Sequence, residues 1–167
     1  MAGSLELINK TTFSSVSTVN VDNVFSADYD VYKITLDTGG QYGFLRFLDS
    51  SGTLTTDNTY DTARFNLKIN TTYSQTQISN DNNGMYAFSE SSGSGAGGGN
   101  VLYVYNPFSS SYYTSVTAQT VDINNSSAHR LARMIGVYQN TQSLRGFSLQ
   151  ALASVSGTLV TYGMKVQ

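Results

Sequence analysis

The chain has 167 residues, of which 40% are apolar and only 12% charged, with no Cys and no Trp. That is the length of one domain, with enough apolar material for a core that needs neither disulfide nor metal and with no thiol chemistry to consider. A net charge of −2 and a pI near 5.1 argue against a nucleic-acid partner, which calls for a basic excess.

The opening Met1–Glu6 carries no basic segment and no apolar core of a signal peptide, and no run approaches the roughly 18 apolar residues of a membrane span. The expectation is a soluble protein made in the cytoplasm, without a membrane partner. Helix formers are scarce, while Thr, Val, Phe and the 12 Tyr favour strands.

Leu5–Thr12 reads as a first strand or an N-terminal arm (residues 1–12), and Ser17–Val24 as a second strand. Tyr32–Leu36 alternates and stops at the turn signal Asp37-Thr38-Gly39-Gly40. Tyr42–Leu48 is apolar on both faces, and a polar excursion then runs to Asp61. The clearest alternation follows, Ala63-Arg64-Phe65-Asn66-Leu67-Lys68-Ile69-Asn70. Its period predicts a half-buried strand with Ala63, Phe65, Leu67 and Ile69 inward and Arg64, Asn66, Lys68 and Asn70 in solvent. An Asn-rich turn at 80–84 leads to a short strand, Met85–Phe88.

Residues 91–99 are almost wholly Ser and Gly and read as a surface loop, because strand signals resume at Val101–Tyr105. Asn106-Pro107 turns the chain, and Ser115–Val121, Arg130–Tyr138, Leu144–Leu152 and Thr158–Val166 complete the set. About ten antiparallel strands separated by turn signals predict an all-β fold, a single two-layer β-sandwich of jelly-roll type over 1–167.

Two stretches carry a resemblance. Ser15-Val16-Ser17-Thr18-Val19-Asn20-Val21 leads to Tyr29-Asp30-Val31-Tyr32, and Ser156-Gly157-Thr158-Leu159-Val160-Thr161-Tyr162-Gly163 closes the domain. This pairing resembles the β-sandwich structural proteins of tailed bacteriophages, found in tail fibres and on heads, including phages of marine bacteria. The resemblance implies a non-enzymatic virion protein and transfers no catalytic residue. Shortness points to a capsid decoration or cement protein on the outer head, self-associated as a trimer and docked on the major capsid protein. A tail- or head-fibre module that binds host surface glycans is the alternative, and a glycan depolymerase the third reading.

Chemistry in the residues themselves is sparse. Ser79–Gly84 with Glu90 matches most of a calcium-loop string, but such loops lie between helices and strands are expected here, so an Asn-rich turn is preferred. Gly93-Ser94-Gly95-Ala96-Gly97-Gly98 satisfies a dinucleotide string without the helix that binds the phosphates. No cofactor and no metal are expected. His129, the only histidine, reads as the opening of a strand, and His129, Arg130 and Arg133 together as a charged strand edge. The pairs Asp57/Asp61 and Asp28/Asp30 are the local carboxylates a glycosidase would need, set in loops where Asp usually caps turns. The sequons at Asn9, Asn70, Asn124 and Asn125 fall by chance in so polar a chain.

The candidate contact residues are Tyr112, Tyr113, Asn106 and Tyr105. Rings beside amides suit a sugar platform or a protein contact, with Tyr112-Tyr113 the exposed pair in a Ser-rich turn. Alternation places Tyr103 and Tyr105 together on one face of their strand.

Overall fold

The computed structural model describes residues 4–38, 43–68, 73–87, 98–123 and 129–165. Ten strands account for most of them: β1 (Leu5–Val21), β2 (Val31–Thr38), β3 (Gly43–Leu48), β4 (Tyr60–Lys68), β5 (Ser74–Asp81), β6 (Met85–Tyr86), β7 (Gly98–Tyr105), β8 (Thr114–Ile123), β9 (His129–Tyr138) and β10 (Gly146–Met164). All pairings are antiparallel. The all-β expectation holds, with a different arrangement of layers. One hydrogen-bonded path runs β5-β4-β9-β8-β7-β2-β10-β3-β6, with β1 added on β10. It curls until β6 meets β4, a nearly closed barrel rather than two separate sheets.

The 19-residue β10 makes this possible. Its C-terminal half lies between β1 and β2, and its N-terminal half between β1 and β3. β1 follows it around the bend through register shifts between Phe13 and Thr18, with Ser15 in the left-handed region at φ 54. Such bulges let a strand turn from one layer into another. The expected breaks at 13–16 and 153–157 are therefore bends within continuous strands. Leu5–Thr12 belongs to β1.

The core is aromatic. Tyr60 and Tyr138 pack at 4.9 Å and Phe47 against Tyr138 at 5.7 Å, and Phe25 joins Tyr32 at 4.7 Å and Phe147 at 5.8 Å. Each such pair adds about 0.5–1.5 kcal/mol beyond its area. Tyr60 is fully buried; its hydroxyl bonds Thr55 Oγ1 and accepts the Phe47 N–H at 2.9 Å.

That anchor decides the faces of β4. Counting by two from Tyr60 turns Thr62, Arg64 and Asn66 inward, and all three are buried, while Phe65 and Leu67 are 42% and 47% exposed. The orientation read from the apolar alternation is thus inverted. A strand's faces are fixed together, so a buried tyrosine at one end carries the rest of the strand with it. The trio His129, Arg130, Arg133 is divided for the same reason. Arg130 is buried, opposite Asp122 of β8 in register, and Arg133 is exposed. β9 is an interior strand between β4 and β8, so the charged-edge reading falls.

β5 was not expected at all; Ser74–Asp81 has Ile78 as its one apolar residue and, among the described residues, pairs only with β4. Gly98 and Gly99 open β7, which shortens the expected 91–99 loop, and residues 91–97 lie outside the described set. Ile69, Asn70, Glu90, Asn124 and Asn125 also lie outside it.

Candidate docking face

The outward side chains of β4, β9, β8, β7, β2 and β10 form rows across the barrel wall. One row is Ala63, Ile135, Thr117, Tyr103, Lys33 and Tyr162; the next is Phe65, Arg133, Gln119, Val101, Thr35 and Val160. A third holds Leu67, Leu131, Val121, Gly99, the exposed Asp37 and Thr158. Inward neighbours such as Leu102, Val104 and Ile34 are fully buried, while β4 and β9 also turn Arg64, Asn66 and Arg130 inward. Outside, Ile135 is 64% and Val121 55% exposed, and Tyr73 stacks near Phe65 with centroids 5.6 Å apart. Large exposed apolar residues scattered singly are ordinary, whereas neighbours in register form a patch, which marks an interaction surface.

Two cations stand in this patch, Lys33 on β2 and Arg133 on β9, and among the described residues neither forms an ion pair. Between them lies a shallow open depression lined by Val101, Tyr103, Thr117 and Gln119. Two more depressions, over β4, β5 and β9, meet it at Ile135. The more enclosed space, beside Phe13, Leu36, Thr38 and Leu149, measures about 20 Å³, room for one water.

The residues expected to make contacts divide. Tyr112 and Tyr113 are 67% and 52% exposed and Phe108 is exposed beside them in sequence; the turn is held by Ser109 Oγ, which accepts the N–H groups of Ser111 and Tyr112. Asn106 serves the backbone: at φ 55 it donates its N–H to Asp30 O at 2.7 Å. Tyr105 is half-buried on the outer face, its hydroxyl 3.5 Å from Thr117 Oγ1. Tyr103 and Tyr105 are both on the outer wall, as alternation suggested, whereas Tyr112-Tyr113 sit in the turn beyond β7. The residues the sequence reading missed are Lys33, Val121 and Ile135, and Arg133 was read only as part of a charged strand edge. Counting outward positions from a buried aromatic anchor would have found them.

Asp57, Asp61 and Asp28 accept hydrogen bonds, the first two mainly from distant segments rather than from their own turns. Asp57 Oδ2 accepts from Asn140 Nδ2 at 3.2 Å and from the Tyr138 hydroxyl at 3.4 Å. Asp61 accepts the Asn80 N–H at 2.9 Å and a Gln139 amide proton. Asp28 accepts from Ser26 Oγ. In the Asn-rich turn Asp81 Oδ1 accepts the Asn83 N–H and its side-chain amide, and Gly84 takes φ 102. Among the described residues no three His, Asp or Glu side chains gather in a metal-ligating group.

Burial pushes the phenols of Tyr32, Tyr60 and Tyr138 above the usual tyrosine range. The Glu6 carboxylate near the Tyr29 hydroxyl, with burial, pushes that phenol up to about 12. Bonds from Ser51 and Thr53 hold Asp49 below its usual value. None of these groups lies on the patch. Comparison of the chain with protein families, with curated proteins and with solved structures finds no match.

Proposed function

We propose that this chain is a non-enzymatic structural protein of a tailed-phage virion, placed on the outer head as a decoration protein that works by area and complementarity. The observation that carries the reading is the outer wall just described, an apolar sheet face with few charges and many hydroxyl and amide groups. Such a face can be packed against a neighbour without stranding buried charge. The virion setting rests on the resemblance of residues 15–32 and 156–163 to phage β-sandwich proteins. In this reading the curled sheet is a jelly-roll-type module whose layers are joined by the bent β1–β10 pair. Copies meet around a three-fold axis, by analogy with other small virion modules.

A host-glycan-binding fibre module is the second reading, favoured by the exposed Phe108, Tyr112 and Tyr113 on one turn. Gold-labelled antibody on intact particles separates them. Gold over heads is expected. Gold at tail or fibre tips moves the chain to the second reading, and particles that carry none of it overturn both.

A further inference from the structure

We infer that β5 is an assembly edge: residues 74–78 pair antiparallel with the same residues of a second copy, about a two-fold axis at Thr76. The contact is a property of the chain alone and does not rest on the virion reading, to which it adds a two-fold joint between three-fold clusters. The curl of the sheet closes with β6 against β4, so β5 stands past the seam as the last strand of the hydrogen-bonded path. Among the described residues its only partner strand is β4, and Ser74, Gln75, Thr76 and Gln77 are all exposed. Alternate backbone N–H and C=O groups of β5 therefore face away from the sheet, a template that another extended chain matches group for group.

The edge is unguarded. Residues 73–80 contain no Lys, Arg, Asp, Glu or Pro, the residues that keep strand edges apart. The irregularity in the β4–β5 ladder comes only beyond Ile78, with Asn80 at φ 54, so 74–78 is regular. By contrast β1, which pairs only with β10 among the described residues, is guarded by Glu6, Lys10 and its register shifts. The side chains select the occupant. A foreign strand is recognised through pockets for its alternate side chains, whereas β5 offers amides and hydroxyls with one apolar residue, Ile78. Gln75-Thr76-Gln77 reads the same in both directions. A two-fold at Thr76 therefore sets Gln75 of each copy against Gln77 of the other, on the side of Phe65 and Ala63, and Thr76 against itself on the opposite side. Amide pairs and Thr–Thr hydrogen bonds are favourable across strands, and no like charges meet. The pairing is isologous, so it consumes both edges and closes instead of growing.

The chain has no Cys, so a single introduced thiol reports the register. Thr76→Cys alone should form a disulfide-linked dimer on mild oxidation, and so should Gln75→Cys mixed with Gln77→Cys. Leu152→Cys, exposed at the bend of β10, is the control and should not. Sedimentation of the full chain up to about 1 mM measures the association itself. Gln75→Lys combined with Gln77→Lys should weaken it roughly tenfold or more. The melting temperature should hold, because both side chains are exposed. Mixing that variant with the combined Gln75→Glu, Gln77→Glu variant should restore the pairing between unlike chains. Absence of self-association, association indifferent to the lysines, or a thiol at 76 that links no faster than one at 152 overturns the inference. So does a mixture of the lysine and glutamate variants that stays apart. The virion reading is judged separately, by the gold labelling of particles.

Discussion

Gly163 lies flat against the ring of Tyr29: a Cβ at 163 would stand 2.6 Å from Tyr29 Cγ and Cδ1. Tyr29 is buried there, with Lys165 Nζ 5.5 Å from its centroid and Glu6 of β1, opposite Gly163 in register, beside its hydroxyl. One ring thus joins β1, the loop before β2 and the end of β10. Gly157, the other glycine of the closing stretch, is likewise crowded by Asp37 O and Phe13. Gly163→Ala should overpack the site and cost about 1–3 kcal/mol, a fall in melting temperature of roughly 2–12 °C for a chain of this size. A melt equal to the parent's would show that Tyr29 yields freely.

The two faces of the wall should respond in opposite ways to truncation. Leu102→Ala, in the interior, is expected to cost about 2–5 kcal/mol. Phe65→Ser, on the outside, should change stability by no more than about 1 kcal/mol. Urea denaturation of the two variants measures both, and a large loss at Phe65 would restore the inward orientation that alternation alone suggested.

Stability should decline in alkali. Folding raises the phenol pKa of Tyr32, Tyr60 and Tyr138 through burial, so the folded state holds protons that the unfolded chain releases near pH ~10. The folded state then binds more protons than the unfolded one, and the unfolding free energy falls as pH rises. The contribution is complete below pH ~10 and is lost as pH climbs toward the folded values. Thermal melts between pH 8 and 12, followed with tyrosinate absorbance, should show this slope. Tyr60→Phe should flatten it while costing about 1–3 kcal/mol at neutral pH, because Thr55 and the Phe47 N–H lose their buried partner. Melts that stay level through pH 12 would contradict the burial assignment.

The Arg145–Asp22 pair is bidentate, at 2.7 and 2.8 Å, yet both side chains are partly exposed. Arg145 also works through its backbone, whose carbonyl accepts the N–H groups of Val24 and Phe25. Asp22→Asn should therefore cost about 1 kcal/mol or less, and less again in high salt. A loss of several kcal/mol that salt leaves unchanged would mean that the carboxylate orders the 22–25 loop itself.

Most strands were legible because their residues alternate or are rich in Val, Tyr and Phe, as in Tyr32–Leu36 and Val101–Tyr105. β5 was not, since Ser-Gln-Thr-Gln-Ile-Ser-Asn-Asp has no apolar period and owes its extended form to pairing with β4. The continuity of β1 was hidden because residues 13–16, with Ser14 and Ser15, read as a break. The Ser15 N–H instead reaches Ser156 Oγ at 2.9 Å, which keeps the two long strands together around the bend. The orientation of β4 was misread because burial of Arg64 and Asn66 is a tertiary outcome, decided by Tyr60 at the strand's start. The aromatic turn was visible from composition, but the wall around Ile135 was not. Its members are spread over many strands, and only their register makes them neighbours.

The pairing of β1 with β10 has a consequence for the order of synthesis. Leu5 finds its partner only in Met164, and Val21 in Phe147. During translation the first strand therefore waits for the last one, with Val19 and Val21 uncovered and no local element to shelter them. Contacts of such long separation fold slowly, and waiting edges are where chains join wrongly. A ribosome stalled before residue 146 should hold a chain without its closing strand, open to chaperones and to protease. The protected domain should emerge in one step once residues 146–164 have cleared the exit tunnel.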